Sequence, residues 1–249
     1  MKIAIMQPTF CPWIGYFMMI ARVDAFVFLD CVQFEKQSWQ SRNKIKVDDK
    51  AFLISLHLQK APLSTLIKDM RLCGKDRWKK VLLRTLWQNY QKSPNFKEIY
   101  EILDYALFHF ENLSKLNIFL IQKFAHILGL QTPFITASSL PLSPFAKRES
   151  LLLEICNNLK ASKYLSPEGS RIYLDKVKAR ALFENAGIDI EYFTMNHPIY
   201  HQQGKDFVEY LSIIDLLFNE TKAPQILTQT ALSADSTGGG GNFFILCVA

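Results

Sequence analysis

Two short stretches near the amino terminus concentrate side chains of the kinds that bind ligands. Each stretch follows an apolar run that is typical of a strand, so its polar groups come at a predicted strand end. Loops held by a rigid scaffold are where binding and catalytic residues concentrate. The candidate ligand-binding side chains of these stretches are Gln7, Trp13, Tyr16, Gln33, Lys36, Trp39, Arg42, Asn43 and Lys46. We predict that the two stretches meet at one edge of the fold and enclose an anionic small molecule.

A carboxylate and a histidine are the candidate catalytic groups. Asp30 comes at the predicted end of the second strand, where it can orient a sugar hydroxyl or accept a proton from an attacking amine. The alternative for Asp30 is a loop-capping role in which backbone N–H groups donate to the carboxylate. His197 and His201 flank Tyr200, and His201 is the candidate acid or base, with an ordinary loop position as the competing interpretation.

The segment 39–46 combines groups that recognise phosphate. Arg42 contributes a planar guanidinium, Asn43 an amide and Lys46 an ammonium group, while Trp39 can stack on a base or on a sugar face. A solvated strand face is the alternative for the lysines. Single-stranded nucleic acid is disfavoured as a partner, because a stacking platform usually needs several interleaved aromatic residues.

The whole-chain composition limits the classes of function. The formal net charge is +6, with 29 basic and 23 acidic residues, which favours anionic partners. The five cysteines are scattered without CxxC spacing and only five histidines occur, so neither a disulfide framework nor a metal site is predicted. No apolar stretch reaches the length of a membrane span and the amino terminus lacks a cleavage-site pattern, so we predict a cytoplasmic protein.

The apolar runs predict an α/β fold. Strands at residues 2–6 and 25–29 are joined by a helix at 13–22, and a helical crossover of this length normally joins parallel strands. Further strands are predicted at residues 39–47, 51–58, 134–136, 164–165 and 188–193. Further helices are predicted at residues 149–159, 175–185 and 211–218. The alternation predicts a mostly parallel sheet with helices on both faces.

The middle of the chain has a helical pattern instead. Between residues 75 and 130 apolar side chains recur three or four positions apart, which predicts a three-helix insertion. One of its breaks is Ser93-Pro94, where Ser93 suits a helix cap and Pro94 a first helical turn.

The carboxyl-terminal end differs from the rest of the chain. We predict a single α/β domain over residues 1–229 and a flexible Gly-rich tail over 230–249. Four consecutive glycines end at residue 241, and a guanine tract encoding them would be prone to slippage. Residues 242–249 are therefore hypothesised to be an out-of-frame ending.

Ordered motifs over residues 2–219 resemble the WbqC-like family. They are QP at residue 7, PWIGYF at 12, DAFV at 24, LD at 29, VQF at 32, RNKIK at 42, YLS at 164 and LSIIDLLFN at 211. The resemblance implies a role in bacterial surface-polysaccharide and glycan biosynthesis. It also implies the site residues Gln7, Trp13, Asp30, Gln33, Arg42, Asn43, Tyr164, Tyr200, Asp215 and Asn219. The chain departs from the family pattern at Cys31 and at the residues that follow Asn219.

These observations lead to one main hypothesis. The chain is predicted to be a transferase that moves an acyl or aminoacyl group from a thioester donor, with an acyl carrier as a further partner, to the amine of a nucleotide-linked sugar. Arg42 and Lys46 would hold the diphosphate, Trp13 or Trp39 would stack on the ligand, and Asp30 would position or deprotonate the amine. Nucleotidyl transfer or adenylation and a non-catalytic scaffold in a glycan assembly complex remain open. Neither a GxGxxG nor a GxxxxGK[ST] pattern is present.

Overall fold

The computed structural model describes residues 1–233 of the 249-residue chain. Its strands are β1 (Lys2–Met6), β2 (Ala25–Phe28), β3 (Arg42–Val47), β4 (Lys50–Ser55), β5 (Phe134–Thr136), β6 (Lys163–Pro167) and β7 (Asp189–Phe193). Its α-helices are α1 (Ile14–Ala21), α2 (Arg77–Tyr90), α3 (Phe96–His109), α4 (Leu113–Ile127), α5 (Glu149–Asn158), α6 (Arg171–Leu174), α7 (Val177–Asn185), α8 (Ile213–Asn219) and α9 (Ala223–Ser233).

Five of the strands form one parallel sheet in the order β5-β2-β1-β6-β7. All four residues of β2 are buried, which is typical of a parallel strand covered by helices on both faces. On β1, Ala4 and Met6 pack with α1 and the helical insertion, whereas Ile3 and Ile5 pack with α5 and α7. Because successive strand residues point to opposite faces, one strand serves both cores. The predicted α/β fold is confirmed.

The strands β3 and β4 form a separate antiparallel hairpin. Asp48 and Asp49 at its turn have φ angles of 46° and 59°, as a two-residue hairpin turn requires. The hairpin is joined to the sheet domain by the carbonyl of Lys44, which accepts from the N–H of Ser212 at 2.8 Å.

The three predicted helices of the insertion are α2, α3 and α4, but α3 begins two residues later than expected. Asn95, and not Ser93, precedes its first residue. The Asn95 amide donates to the carbonyls of Leu217 and Glu220 at 2.9 and 3.0 Å, and the Ser93 hydroxyl donates to Asn219. Both side chains therefore bind the α8 segment, a long-range contact that a local capping pattern cannot indicate.

The helix α9 was not predicted, and it extends past the expected start of the tail at residue 230. Pro224 lies in its first turn, where the missing N–H has no helical partner to lose. The four consecutive glycines and the hypothesised out-of-frame ending lie outside the described residues.

Asn117 on α4 joins the helical insertion to two loops at the edge of the sheet. Its Nδ2 donates to the carbonyls of Pro8 and Gln40 at 3.0 and 2.8 Å, and the residue is fully buried. We expect Asn117→Ala to lower the free energy of unfolding by about 1–3 kcal/mol, because two buried carbonyls lose their donor.

Urea denaturation with a circular-dichroism readout measures that change, and Gln122→Ala is the control. Gln122 carries the same amide on the exposed face of the same helix. Removal of the Gln122 amide is expected to change the free energy of unfolding by less than about 0.5 kcal/mol. Equal effects of the two substitutions would contradict the role of Asn117.

Candidate functional site

The order of the strands identifies the edge of the sheet at which a site can form. From β1 the chain moves outward to β2 and β5, and then returns to the other side of β1 through β6 and β7. In open parallel sheets, ligands bind outside the carboxyl ends of the strands, near the point where the strand order reverses. The loops that follow β1, β2, β5 and β6 are therefore the ones available for a site.

Side-chain amides join the loop after β1 to the segment that runs from β2 into β3. Gln40 Nε2 donates to Gln7 Oε1 at 2.8 Å. Asn43 Nδ2 donates to the carbonyls of Phe10 and Cys11 at 3.0 and 2.8 Å. The two stretches singled out in the sequence therefore meet, and Gln7 and Asn43 are buried between them. A role for either residue in ligand binding stays a prediction.

Asp30 joins the loop after β2 to the loop after β5. One carboxylate oxygen accepts from the backbone N–H of Ser138 at 2.9 Å and the other from its hydroxyl at 2.7 Å. Asp30 is 3% exposed. The observed contacts are those of the loop-capping alternative, and the catalytic role of Asp30 stays a prediction.

A second buried network surrounds Asp215 on α8. The hydroxyls of Tyr90 and Tyr200 donate to its two carboxylate oxygens at 2.6 and 3.0 Å. Asn219 Nδ2 donates to the Asp215 carbonyl at 2.9 Å, and the backbone N–H of Lys46 donates to the Tyr90 hydroxyl at 3.1 Å. Four residues implied by the resemblance or by the phosphate-binding pattern, Tyr200, Asp215, Asn219 and Lys46, are therefore brought together.

Burial sets the electrostatics of this network. Burial raises the pKa of Asp215 above its ordinary value, against the opposing effects of the two tyrosine hydroxyls and of Lys46. Burial also raises the pKa of Tyr90 and of Tyr200 well above the usual range, which keeps both as neutral donors. The Lys46 ammonium contacts the Asp49 carboxylate at 2.9 Å and donates to the carbonyl of Asp206. Its positive charge is thus already paired within the fold.

Three predicted aromatic residues have structural contacts. Tyr16 donates its hydroxyl to the carbonyl of Gln7 at 3.1 Å and is 1% exposed. Tyr164 on β6 is also 1% exposed and packs in the core beside α7. Trp13 is half-buried, and its ring centroid lies 5.6 Å from that of Tyr210.

Other predicted residues are accessible to solvent. Arg42 and Trp39 are half-buried, and the ammonium of Lys44 lies 5.7 Å from the Trp39 ring centroid. Gln33 and Lys36 are exposed.

The two histidines near Tyr200 have different surroundings. His201 is exposed, and its backbone N–H donates to Glu220. His197 is half-buried, and its Nε2 accepts from the backbone N–H of Tyr210 at 3.1 Å. Burial lowers the pKa of His197, which favours the neutral imidazole. The structure places neither histidine among the residues that line the two clefts described next.

A cleft of about 790 Å³ opens between the loop after β2 and the loop after β5, and we call it the basic cleft. Its charged lining residues are Glu35, Lys68, Lys147 and Arg148. Sequence reasoning missed all four of these residues. A signal was available, since Lys147-Arg148 directly precedes a predicted helix and the loop that contains them follows a predicted parallel strand.

A second cleft, of about 860 Å³, lies between the segment 33–37 and the segment 56–63, and we call it the apolar cleft. Its apolar lining residues are Phe34, Leu56, Leu58, Ala61, Pro62, Leu63 and Met70. Lys36 and Lys60 are its cationic lining residues, and Gln33 and Glu35 line both clefts. Of the predicted site residues, Gln33 and Lys36 therefore lie at a cleft.

Cys31 also lines the basic cleft, but its thiol is not activated. Burial, followed by the charge of Asp30, raises the pKa of Cys31. The thiolate is the nucleophilic form of cysteine, so a raised pKa disfavours covalent catalysis by this group.

Two absences hold for residues 1–233, the part of the chain that the structure describes. No group of three or more His, Cys, Asp or Glu side chains is arranged to hold a metal ion. No helix there has the length and apolar character needed to cross a membrane.

The following findings relate this chain to known proteins. A family model described as the WbqC-like protein family matches residues 7–225. A protein of Mycobacterium tuberculosis (strain ATCC 25618 / H37Rv), named uncharacterized protein Rv1507c, is 32% identical over 231 residues, which are 91% of this chain and 97% of that protein. No solved structure matches the chain.

The raised pKa of Asp215 gives the buried network a specific pH dependence. The Tyr200 hydroxyl favours the charged carboxylate, so its loss costs most where Asp215 is ionised. We expect Tyr200→Phe to lower the free energy of unfolding by about 1–3 kcal/mol at pH values above that raised pKa. This decrease in the free energy of unfolding should become smaller as the pH falls through the pKa of Asp215, because the protonated carboxyl gains less from the Tyr200 hydroxyl than the carboxylate does.

Urea denaturation across a pH series measures this effect. Tyr192→Phe is the control, because the Tyr192 hydroxyl donates to Asp175 at 2.6 Å in an exposed position. In the Tyr192→Phe control the free energy of unfolding is expected to fall by less than about 1 kcal/mol. A loss for Tyr200→Phe that is the same at every pH would show that the charge of Asp215 is not involved.

Proposed function

Because the chain belongs to the WbqC-like protein family, we propose that it is a glycan-biosynthesis enzyme acting on a nucleotide-linked amino sugar. The reaction proposed is transfer of an acyl or aminoacyl group to the sugar amine. The resemblance to a family associated with surface-glycan loci supports the setting. The charge and position of the basic cleft support an anionic substrate.

The observation that carries the proposal is the convergence of three cations at the carboxyl edge of a parallel sheet. Lys68 comes from the segment after β4, and Lys147 and Arg148 come from the loop after β5. The cleft volume of about 790 Å³ is within the range of small-molecule sites. Glu35 is the single acidic residue of the lining, so the local charge favours a diphosphate.

The backbone at Arg148 supports a role for this residue beyond folding. Its φ and ψ angles are 51° and −130°, in a region that residues other than glycine rarely adopt. Such a conformation costs about 1–3 kcal/mol and is retained mainly at functional sites. Arg148 lines the basic cleft, where a planar guanidinium can bind phosphate with two hydrogen bonds.

In the proposed reaction, Lys68, Lys147 and Arg148 hold the diphosphate and thereby orient the sugar. The amine nitrogen attacks the donor carbonyl, a C–N bond forms, the C–S bond breaks, and the thiol leaves with a proton. Holding both reactants converts a bimolecular step into one within a complex, which lowers the entropic part of the barrier. Asp30, whose two oxygens accept from Ser138, is assigned a positioning role in this proposal.

The test of the nucleotide site uses two glycine substitutions at the two ends of α5. Arg148→Gly and Lys160→Gly each remove one positive charge and relieve a positive φ, which is 51° at Arg148 and 53° at Lys160. Both are expected to raise the free energy of unfolding by about 1 kcal/mol. Arg148→Gly should weaken binding of UDP-linked amino sugars about tenfold or more, because a charge-assisted contact is lost. Lys160 is outside the cleft, and its substitution should leave the affinity unchanged.

Isothermal titration calorimetry after a thermal-shift screen of nucleotide sugars measures these affinities. Arg42→Ala is the discriminating variant, because Arg42 does not line the basic cleft. A larger loss of affinity in Arg42→Ala than in Arg148→Gly would place the ligand beside β3 and reject the basic cleft.

Nucleotidyl transfer or adenylation is the second candidate, and the strand order favours it. Parallel sheets whose strand order reverses beside a central strand, as it does here between β1 and β6, commonly bind nucleotides at that point. Release of pyrophosphate from ATP in the presence of a sugar phosphate or a carboxylic acid would support this candidate over acyl transfer.

A further inference from the structure

The apolar cleft has the composition of a site for an amphiphilic ligand. Leu56 and Met70 are 5% and 4% exposed, so they form a buried apolar wall, and Leu63 extends this surface at 70% exposure. Lys36 and Lys60 are exposed cations at the same cleft. An apolar group can therefore bind in the cleft while an attached anionic group remains near the two lysines.

A pair of hydrogen-bonded backbone segments forms a wall that this cleft shares with the basic cleft. The N–H of Phe34 donates to the carbonyl of Thr65 at 2.8 Å, and Gln33 forms a bridge with Leu66. Ser64 and Leu66 line the basic cleft, whereas residues 58–63 line the apolar cleft. Gln33 and Glu35 line both clefts, so two ligands bound in the two clefts would meet at the edge of this shared wall.

Glu35 is the carboxylate at this wall. It lines both clefts, and among the described residues it is the only acidic one in either lining. Its backbone groups are fixed, since its N–H donates to Gln40 Oε1 at 3.2 Å and its carbonyl accepts from the Ser38 hydroxyl at 2.8 Å. Within residues 1–230, where side chains are described, its carboxylate has no hydrogen bond or ion pair. A positioned backbone with an uncommitted carboxylate suits a proton acceptor.

We propose that the apolar cleft binds the acyl donor as a phosphopantetheinyl thioester and that Glu35 accepts the proton of the sugar amine. This inference rests on the proposed function. The acyl chain and pantetheine arm would contact the apolar wall, and the phosphate would lie near Lys36 and Lys60. The same chemistry is presented by coenzyme A and by an acyl carrier protein.

Glu35 serves as the base in this reaction. The neutral amine attacks the thioester carbonyl, and Glu35 takes one of its protons as the C–N bond forms. The C–S bond then breaks, and the leaving thiolate receives the proton from the Glu35 carboxyl. The products are an amide and a free thiol, and the carboxylate is regenerated without an oxidant or a reductant.

Donor binding is tested by calorimetry with acetyl-CoA, octanoyl-CoA and the same acyl groups on a purified acyl carrier protein. Lys36→Ala/Lys60→Ala is expected to weaken binding of the coenzyme A thioesters about tenfold, with a steep salt dependence in the wild type. Leu63→Ser should weaken the binding of octanoyl-CoA more than that of acetyl-CoA, because only the longer acyl chain reaches this apolar surface. Val177→Ser, an 85% exposed position that lines neither cleft, is the control and should change neither affinity.

The role of Glu35 is tested by amide formation followed by mass spectrometry. Glu35→Gln should lower the turnover rate by about 10²–10⁴-fold, while affinities for both substrates change less than threefold. Formate should partly restore turnover in Glu35→Ala, because it can replace the missing carboxylate. A merely structural role would give neither the split between rate and affinity nor the rescue.

The outcomes separate this inference from the proposed function. Thioester binding that is absent, or unaffected by Lys36→Ala/Lys60→Ala, overturns the donor site even where the basic cleft binds nucleotide sugars. Thioester binding without any nucleotide-sugar binding rejects the proposed function but still supports the apolar cleft as a thioester site. Unchanged turnover in Glu35→Gln, or no amide from the wild type with both ligands bound, overturns the role of Glu35. Preference for the carrier-protein or the coenzyme A thioester identifies the source of the donor.

Discussion

Buried polar groups at the carboxyl edge of the sheet must find hydrogen-bond partners, and much of the structure follows from that constraint. The loops after β1 and β2 cross close to the sheet, where water cannot satisfy their carbonyls. Asn43 on β3 and Asn117 on α4 donate to carbonyls of these loops, and Gln40 joins the two loops through its bond to Gln7. These bonds fix the loops relative to the strands. Residues 31–37, which line the two clefts, belong to the loop after β2 and are therefore held in place as well.

The same constraint explains how far the sequence could predict the site. Residue types such as Asn, Gln and Asp beside a strand end are suited both to binding a ligand and to closing a buried loop. The alternation of strands and helices was sufficient to predict the parallel sheet, because it depends on local periodicity. The partners of Gln7, Asn43 and Asp215 depend on long-range packing, and no local pattern distinguishes an amide that binds a carbonyl from one that binds a substrate.

The residues that line the clefts were harder to predict for a related reason. Glu35 and Lys68 come from the segment between β2 and α2, whereas Lys147 and Arg148 follow β5, about a hundred residues later. Only the pairing of β5 with β2 brings the two loops to one edge. The positive φ of Arg148 is likewise set by its surroundings and not by its residue type, since arginine has no preference for that region. A charged pair before a helix is a usable signal only once the strand order is known.

The charge distribution of the two clefts is consistent with a reaction between two anionic ligands. Two phosphate-bearing substrates repel each other, so an enzyme that joins them needs cations at separate places and reacting groups directed towards each other. Lys147 and Arg148 lie at the basic cleft, and Lys36 and Lys60 lie at the apolar cleft. Glu35 lies at the wall shared by both. A negative group there repels the phosphates of both ligands and accepts a hydrogen bond from the neutral amine of an amino sugar, which favours an orientation that brings the nucleophile to the wall.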